Sequence, residues 1–478
     1  SKYDGRGNAR VQDVTVEVAT LVGNNLPEAK MVGGKLDMKA LPGFENSEKQ
    51  HIVNSGFNAK GNPTKTVTTS AMFSKDKGWQ LDSEKTVISS YDGRGNARVQ
   101  DVTIRLATLV GGDLPGIAQD ADGNIDMTKV PALEDSEKQH IENTGFTAKG
   151  NPLKSVTTSA TYDGKTWRLD SEKTVVSKYD GRGNAIKQDI TTKVGVLDKD
   201  GVSPEVKLDG TTGNMVMPAA ALLLDSEKQH IENSDFTAKG NPKKSVTTSA
   251  INIGGKWYAD SERTVISTYD GRGNALTQDI STKVGKLVAG TDNLEEVALD
   301  ADKNIQINAV NAAKFEESER QHVENTGFTA KGNPIVSVTT SASYIDGKWL
   351  MESKKTVESV YDGRGNAVEQ DISIQTAQLT GANELPAAAM TADGKIDMTA
   401  AKLQVFDESE RQHISNSAFN AKGNPGKTVT TLASFADGKW SMESQKTVLS
   451  KYDGRGNARV QDVTVQVATL VGNNLPEA

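Results

Sequence analysis

The five histidines of this chain all fall in one motif, Ser-Glu-Lys/Arg-Gln-His, at His51, His140, His230, His322 and His413. In the second copy Glu137 stands three residues before His140, a carboxylate and an imidazole whose types suit acid–base chemistry. A catalytic centre, however, gathers unlike groups once, beside a nucleophile or a metal. Here the pair recurs in every copy without such a companion. The reading is a strand-surface histidine, and no catalytic residue is assigned. A second candidate is Asp120-Ala-Asp122-Gly-Asn124-Ile-Asp126, whose alternating oxygen donors resemble a calcium loop. Its twelfth position should be glutamate and is Pro131, and the matching places Leu36-Asp37 and Gly213-Asn214 keep only a turn. Calcium is expected to be weak, confined to this loop and to Asp300–Asn308. No other metal or cofactor is expected, since a lone histidine without cysteine supplies too few ligands.

Two more patterns invite chemistry. Asp-Gly-Arg-Gly-Asn has the glycines of a phosphate loop but neither its Gly-Lys-Ser/Thr ending nor its following helix, so it reads as a turn. The arginines in it (Arg6, Arg94, Arg182) could meet acidic groups of a neighbouring chain. Trp79, Trp167, Trp257, Trp349 and Trp440 could stack on sugars, but their strand neighbours favour a core position and low exposure. The Ser/Thr row of Ser155, Thr157, Ser159 and Thr161 reads as solvated strand, with glycosylation or a second sheet as alternatives.

What positions these groups is a repeat. Tyr-Asp-Gly-Arg-Gly-Asn-Ala begins at Tyr3, Tyr91, Tyr179, Tyr269, Tyr361 and Tyr452, which divides the chain into 3–90, 91–178, 179–268, 269–360, 361–451 and a restart at 452–478. Fixed-period self-similarity is the mark of an array. Residues 450–478 also copy 1–29, with Gln466 in place of Glu17, a higher period that points to a window of a longer periodic polymer. Within the second repeat, strands are expected at 136–146, 152–162, 167–179 and 185–197, joined by turns at 147–151, 163–165 and 180–184. Alternation places Trp167, Leu169, Val175 and Tyr179 on one face. The variable remainder reads as a hairpin and one short helix. Gly7, Gly95, Gly183, Gly273, Gly365 and Gly456 should take positive φ in the turns, with the motif tyrosines forming an aromatic ladder over them. The expected fold is all-β with minor helix, an antiparallel β repeat array wound as a solenoid, tube or spiral sheet. Tandem β-sandwich domains are the alternative.

The pattern Tyr3-Asp4-Gly5-Arg6-Gly7-Asn8, followed by Asp13, resembles the YD-repeat, or Rhs, family. A shorter cousin, Phe146-Thr-Ala-Lys-Gly-Asn-Pro, precedes each of the later tyrosine motifs. The resemblance implies a long β-sheet wound into a spiral, shell or tube in large secreted or surface proteins, some of which enclose a toxin.

The bulk numbers agree with a thin, repeated core. Apolar residues are 35% and aromatics 5%, and there is no cysteine, which excludes disulfides. A net charge of −8 without a basic run in the sequence argues against nucleic acid. No apolar run is long enough to span a membrane as a helix. The expected function is a structural fibre, tube or sheath, extracellular or at the cell surface and exported in the bacterial manner, whose partners are neighbouring repeats or chains. The alternatives are an adhesin or stalk that binds glycan or protein, and an Rhs-like shell of a toxin-delivery protein. No enzyme activity is expected.

Overall fold

The computed structural model describes residues 1–19, 31–32, 35–36, 43–74, 77–110, 114–329, 331–362, 365–381, 384–402, 404–419, 423–436, 438–452 and 458–469. From the second repeat into the third the strands are Leu133–Phe146, Pro152–Tyr162, Trp167–Tyr179 and Ala185–Gly195. The first starts three residues earlier than its alternation shows and the fourth ends two residues sooner. Each strand pairs antiparallel with the next in sequence. The fourth, which opens the third repeat, then pairs with Leu223–Phe236 of the same repeat. The same meander continues through every repeat to Ala458–Val467, so the strands form one open sheet of 22. A tandem series of separate sandwiches is thereby set aside: among the described residues the sheet runs on from repeat to repeat.

The turns form because their side chains complete the backbone's hydrogen bonds. Asp180 Oδ1 accepts from the amides of Arg182 and Asn184, both at 2.8 Å, and Gly183 takes φ +88°. In the phenylalanine turn Thr147 supplies the acceptor oxygen, 3.1 Å from the Asn151 amide, and in the first repeat Asn58 does. Asp, Thr and Asn interchange because each offers one oxygen at the same place.

The third strand carries an extra residue. Ser159 opposes Ser171 but Ala160 opposes Leu169, which leaves Asp170 unpaired. The slip recurs at Asp82, Asp260, Glu352 and Glu443, always an acidic residue. Such a bulge reverses the alternation beyond it. Trp167 and Leu169 therefore share a face with Ala160, Thr158 and Glu172, whereas Val175 and Tyr179 lie on the opposite face. This corrects the single face read from simple alternation, which cannot register an inserted residue.

The core lies on the tryptophan face. The connection between the fourth strand and Leu223–Phe236 folds back over it. Val206 donates to the Trp167 carbonyl and Leu169 to the Pro204 carbonyl, both at 2.8 Å. Ala160, Trp167, Leu169, Val206 and Met215 are thereby buried together. Full burial of a side chain such as Leu169 is worth about 1.5–3 kcal/mol. The connections hold one short helical turn each, at Met127–Lys129, Ala220–Leu222, Ala309–Ala312 and Met398–Ala401.

One position per repeat, just before the strand-ending phenylalanine, takes a left-handed backbone. It is filled by Gly56, Gly145, Asp235, Gly327 and Ala418 at φ of +54° to +60°. A Cβ at Gly145 would meet Leu153 at 3.2 Å, and one at Gly327 would meet Ile335 at 3.3 Å. The fifth repeat exchanges the sizes: Ala418 faces Gly426, where a Cβ would lie 2.7 Å from the Ala418 carbonyl oxygen. Ala418→Gly should raise stability, by about 0.5–1 kcal/mol, through relief of the left-handed alanine. Gly426→Leu alone should destabilise by more than about 1 kcal/mol, and the double variant should recover most of that loss. Denaturant melts of the four proteins check the cycle; additive effects would show that the two positions do not share space.

Candidate functional site

The structure does not join Glu137 to His140. Glu137 accepts from the side-chain amide of Gln139 at 2.6 Å. His140 instead meets Asp101, the aspartate that follows the previous tyrosine motif, with Nδ1 2.7 Å from Oδ1. The two residues are directly opposed on neighbouring strands. The pairing recurs as Asp13–His51, Asp189–His230, Asp279–His322 and Asp371–His413 at 2.6–2.7 Å. The repeated Gln-Asp and Gln-His of the two strands were the available signal: in adjacent antiparallel strands they fall opposite one another.

The row extends across the sheet. His140 opposes Thr158, Thr158 opposes Glu172, and Glu172 opposes Lys193, whose ammonium is 3.0 Å away. The bulge at Asp170 brings Glu172 into this line. Asp, His and Thr in sequence suggest a nucleophilic triad, but the geometry is unsuited to one. His140 Nε2 faces Glu142 at 3.2 Å, and the buried Thr158 hydroxyl has no hydrogen-bond partner. Covering segments reach the same carboxylates. Asn214 Nδ2 donates to Asp101 Oδ2 at 3.0 Å, and Lys395 Nζ lies 3.5 Å from Asp279 Oδ2. Each aspartate thus orients a histidine with one oxygen and, in these two repeats, fastens a loop with the other.

Burial is the largest influence on His140 and His230 and pulls both down. The hydrogen bonds to Asp101 and Glu142, and to Asp189 and Glu232, outweigh it together and leave both imidazoles above their usual value. Asp279 of the fourth-repeat dyad lines a cleft of about 230 Å³ with Lys395 and Ile396 across it. The fifth, Asp371–His413, lines an open cleft of about 470 Å³ with Arg411, Thr431 and Met442.

The other candidate residues are placed as follows. Asp120 Oδ1 accepts from the amides of Asp122 and Asn124 at 3.0 and 2.8 Å. Asp126 caps the helical turn through the Thr128 amide and pairs with Lys129. Two of the four proposed calcium donors thus have their carboxylates engaged locally. Tyr91, Tyr179, Tyr269 and Tyr361 donate their hydroxyls to the carbonyls of Pro63, Pro152, Pro242 and Pro334. Tyr3 is exposed, and the Tyr452 side chain and Gly456 lie outside the described residues. Gly7, Gly95, Gly183, Gly273 and Gly365 all have φ between +83° and +88°. Trp79, Trp167 and Trp257 are buried and Trp349 and Trp440 half-buried. Each indole lies beneath the motif cation, at 4.7–5.2 Å, namely Lys49, Lys138, Lys228, Arg320 or Arg411. A sugar cannot stack on a ring face occupied in this way.

No family model and no curated protein matches the chain. Similar solved structures include a Bacteroides fragilis protein of unknown function, at 10% identity over 38% of this chain and 89% of that one, with a TM-score of 0.19. The TcdB2-TccC3 structure is 9% identical over 100% of this chain, TM-score 0.18, and the Photorhabdus luminescens Tc holotoxin pore 10% identical over 91%, TM-score 0.12. The chain spans 38% and 29% of the length of those two. Likenesses this slight carry no argument about function.

A histidine raised in the folded state stabilises fully below its unfolded value of about 6.5, and that contribution is lost as pH rises through the raised native value. The melting midpoint should therefore fall on going from about pH 6 to above the native histidine values. Asp189→Asn removes the carboxylate, so His230 should titrate lower than in the parent. Ring-proton NMR of His230 checks this; a parent titration below about 6.5 would contradict the pairing.

Proposed function

We propose that the chain is a structural repeat protein, a wall segment of an extracellular or cell-surface fibre, tube or sheath, and that it catalyses no reaction. The observation that carries this reading is pairing across repeat boundaries. Ser171 opposes Val194, Ser261 opposes Val284, and Ser353 opposes Thr376. The last strand of one repeat has its edge completed by the first strand of the next, and the segment after that strand adds Val206 and Met215, or Val297 and Ile305, to the core of the repeat before it. Such a unit propagates rather than closes. The Asp–His row supports the same reading, because its members recur with the repeat and bond to one another. An adhesin that uses tryptophan platforms fits less well, since the indoles are covered by cations and loops. No helix among the described residues is long and apolar enough to cross a membrane.

The reading is tested by length. Chains of one repeat (91–178), three (91–360) and five should melt at successively higher temperatures, with most of the gain between one and three. Equal midpoints would mean independent beads. Negative-stain micrographs of native material should show filaments or sheets of constant width; discrete closed shells would favour the toxin-enclosing alternative.

A further inference from the structure

The turns gather at one end of the strands. Thr147–Asn151 and Asp180–Asn184 lie there, while the 163–166 hairpin and the 196–222 connection lie at the other end. Successive turns are two strands apart, about 10 Å. They touch: Asn151 Nδ2 donates to the Gly183 carbonyl at 3.3 Å, Lys149 Nζ bonds the Arg182 carbonyl, and a Cβ at Gly150 would lie 2.7 Å from Asn96 Oδ1. The turn row is therefore a packed edge. Along it Arg6, Lys60, Arg94, Lys149, Arg182, Lys239 and Arg272 follow in order, all exposed. Each tyrosine turn's own aspartate is engaged in loop hydrogen bonds, as at Asp92 and Asp270. Among the described residues the four guanidiniums make no ion pair. Cations from Arg6 to Arg272 thus form one ridge on a chain whose net charge is −8. No sequence window shows it.

We infer that this ridge is a binding edge for a linear acidic polysaccharide. It goes beyond the wall reading and does not depend on it. The ligand chemistry follows from spacing and from what the ridge lacks. Cations about 10 Å apart suit a polymer with one carboxylate per sugar or two better than nucleic acid, whose duplex charges stand about 1.7 Å apart along the axis. Single-stranded nucleic acid sites also use aromatic stacking platforms. Tyr91, Tyr179 and Tyr269 beside the ridge are half-buried and tied by their hydroxyls to strand carbonyls.

The full chain is tested against polygalacturonate, with neutral dextran and single-stranded DNA as the other arms. Polygalacturonate should bind at low salt, with an affinity that falls steeply as salt rises. Arg94→Gln, Arg182→Gln and Arg272→Gln together should weaken binding at least about tenfold and flatten the salt dependence. Lysine at the same three positions should keep most of the binding, so that charge and not folding is read. Removal of three exposed cations at the other end (Lys165→Gln, Lys199→Gln, Lys348→Gln) should change little. The inference is overturned by no binding at low salt, by equal binding of dextran, or by equal loss in the two glutamine variants. Tighter binding of DNA would make the ridge a nucleic-acid surface instead.

Discussion

The acidic residue that the strand register skips after each tryptophan divides the work of the sheet's two faces. A strand that alternated without interruption would hold Trp167, Val175 and Tyr179 on one side. The slip at Asp170 turns the tryptophan and Leu169 toward the covering loop and leaves Tyr179 on the far side, where its hydroxyl reaches the Pro152 carbonyl. The extra residue must tolerate a position with no ladder partner. In three repeats the following serine hydroxyl bonds its carboxylate, as Ser171 does with Asp170 at 3.3 Å. Everything on the core face depends on this slip, including the alignment of Glu172 with Thr158, His140 and Asp101.

The same economy of local chemistry governs the turns. An acceptor oxygen at the first turn position and a glycine at positive φ suffice to reverse the chain, so Asp, Thr and Asn serve equally. Asparagine does more than close its own loop. Its side chain occupies the space beside the next turn's glycine, so glycine is required there for room as well as for φ: at Gly240 a Cβ would lie 2.6 Å from Asn184 Oδ1. Packing between turns holds the edge in line, and a line of turns becomes a line of charges.

The Asp–His pairs set groups of catalytic type into cross-strand contacts that recur with the repeat. A half-buried histidine between two carboxylates is held in one orientation, and its second nitrogen has a partner of its own. Reactivity needs an open nitrogen beside a substrate; a fastened imidazole supplies cohesion between strands that lie 39 residues apart in sequence. The loops that reach Asp101 and Asp279 extend that cohesion from one repeat to the next.

Much of this was legible from residues alone. The repeat, the antiparallel meander, the strands Pro152–Tyr162 and Trp167–Tyr179 and the turns between them follow from alternation and from turn chemistry, which act over a few residues. The continuous sheet was one of two readings, because alternation is the same whether strands pair within a closed unit or across its boundary. The bulge escaped, although an acidic residue before serine at the same place in every repeat was its trace. The Asp–His pairs left only the repeated Gln-Asp and Gln-His as a trace, and the loops laid over tryptophan and the line of turn cations left none that names their partners. They join residues tens of positions apart, and only strand register and the stacking of turns decide which of those residues meet.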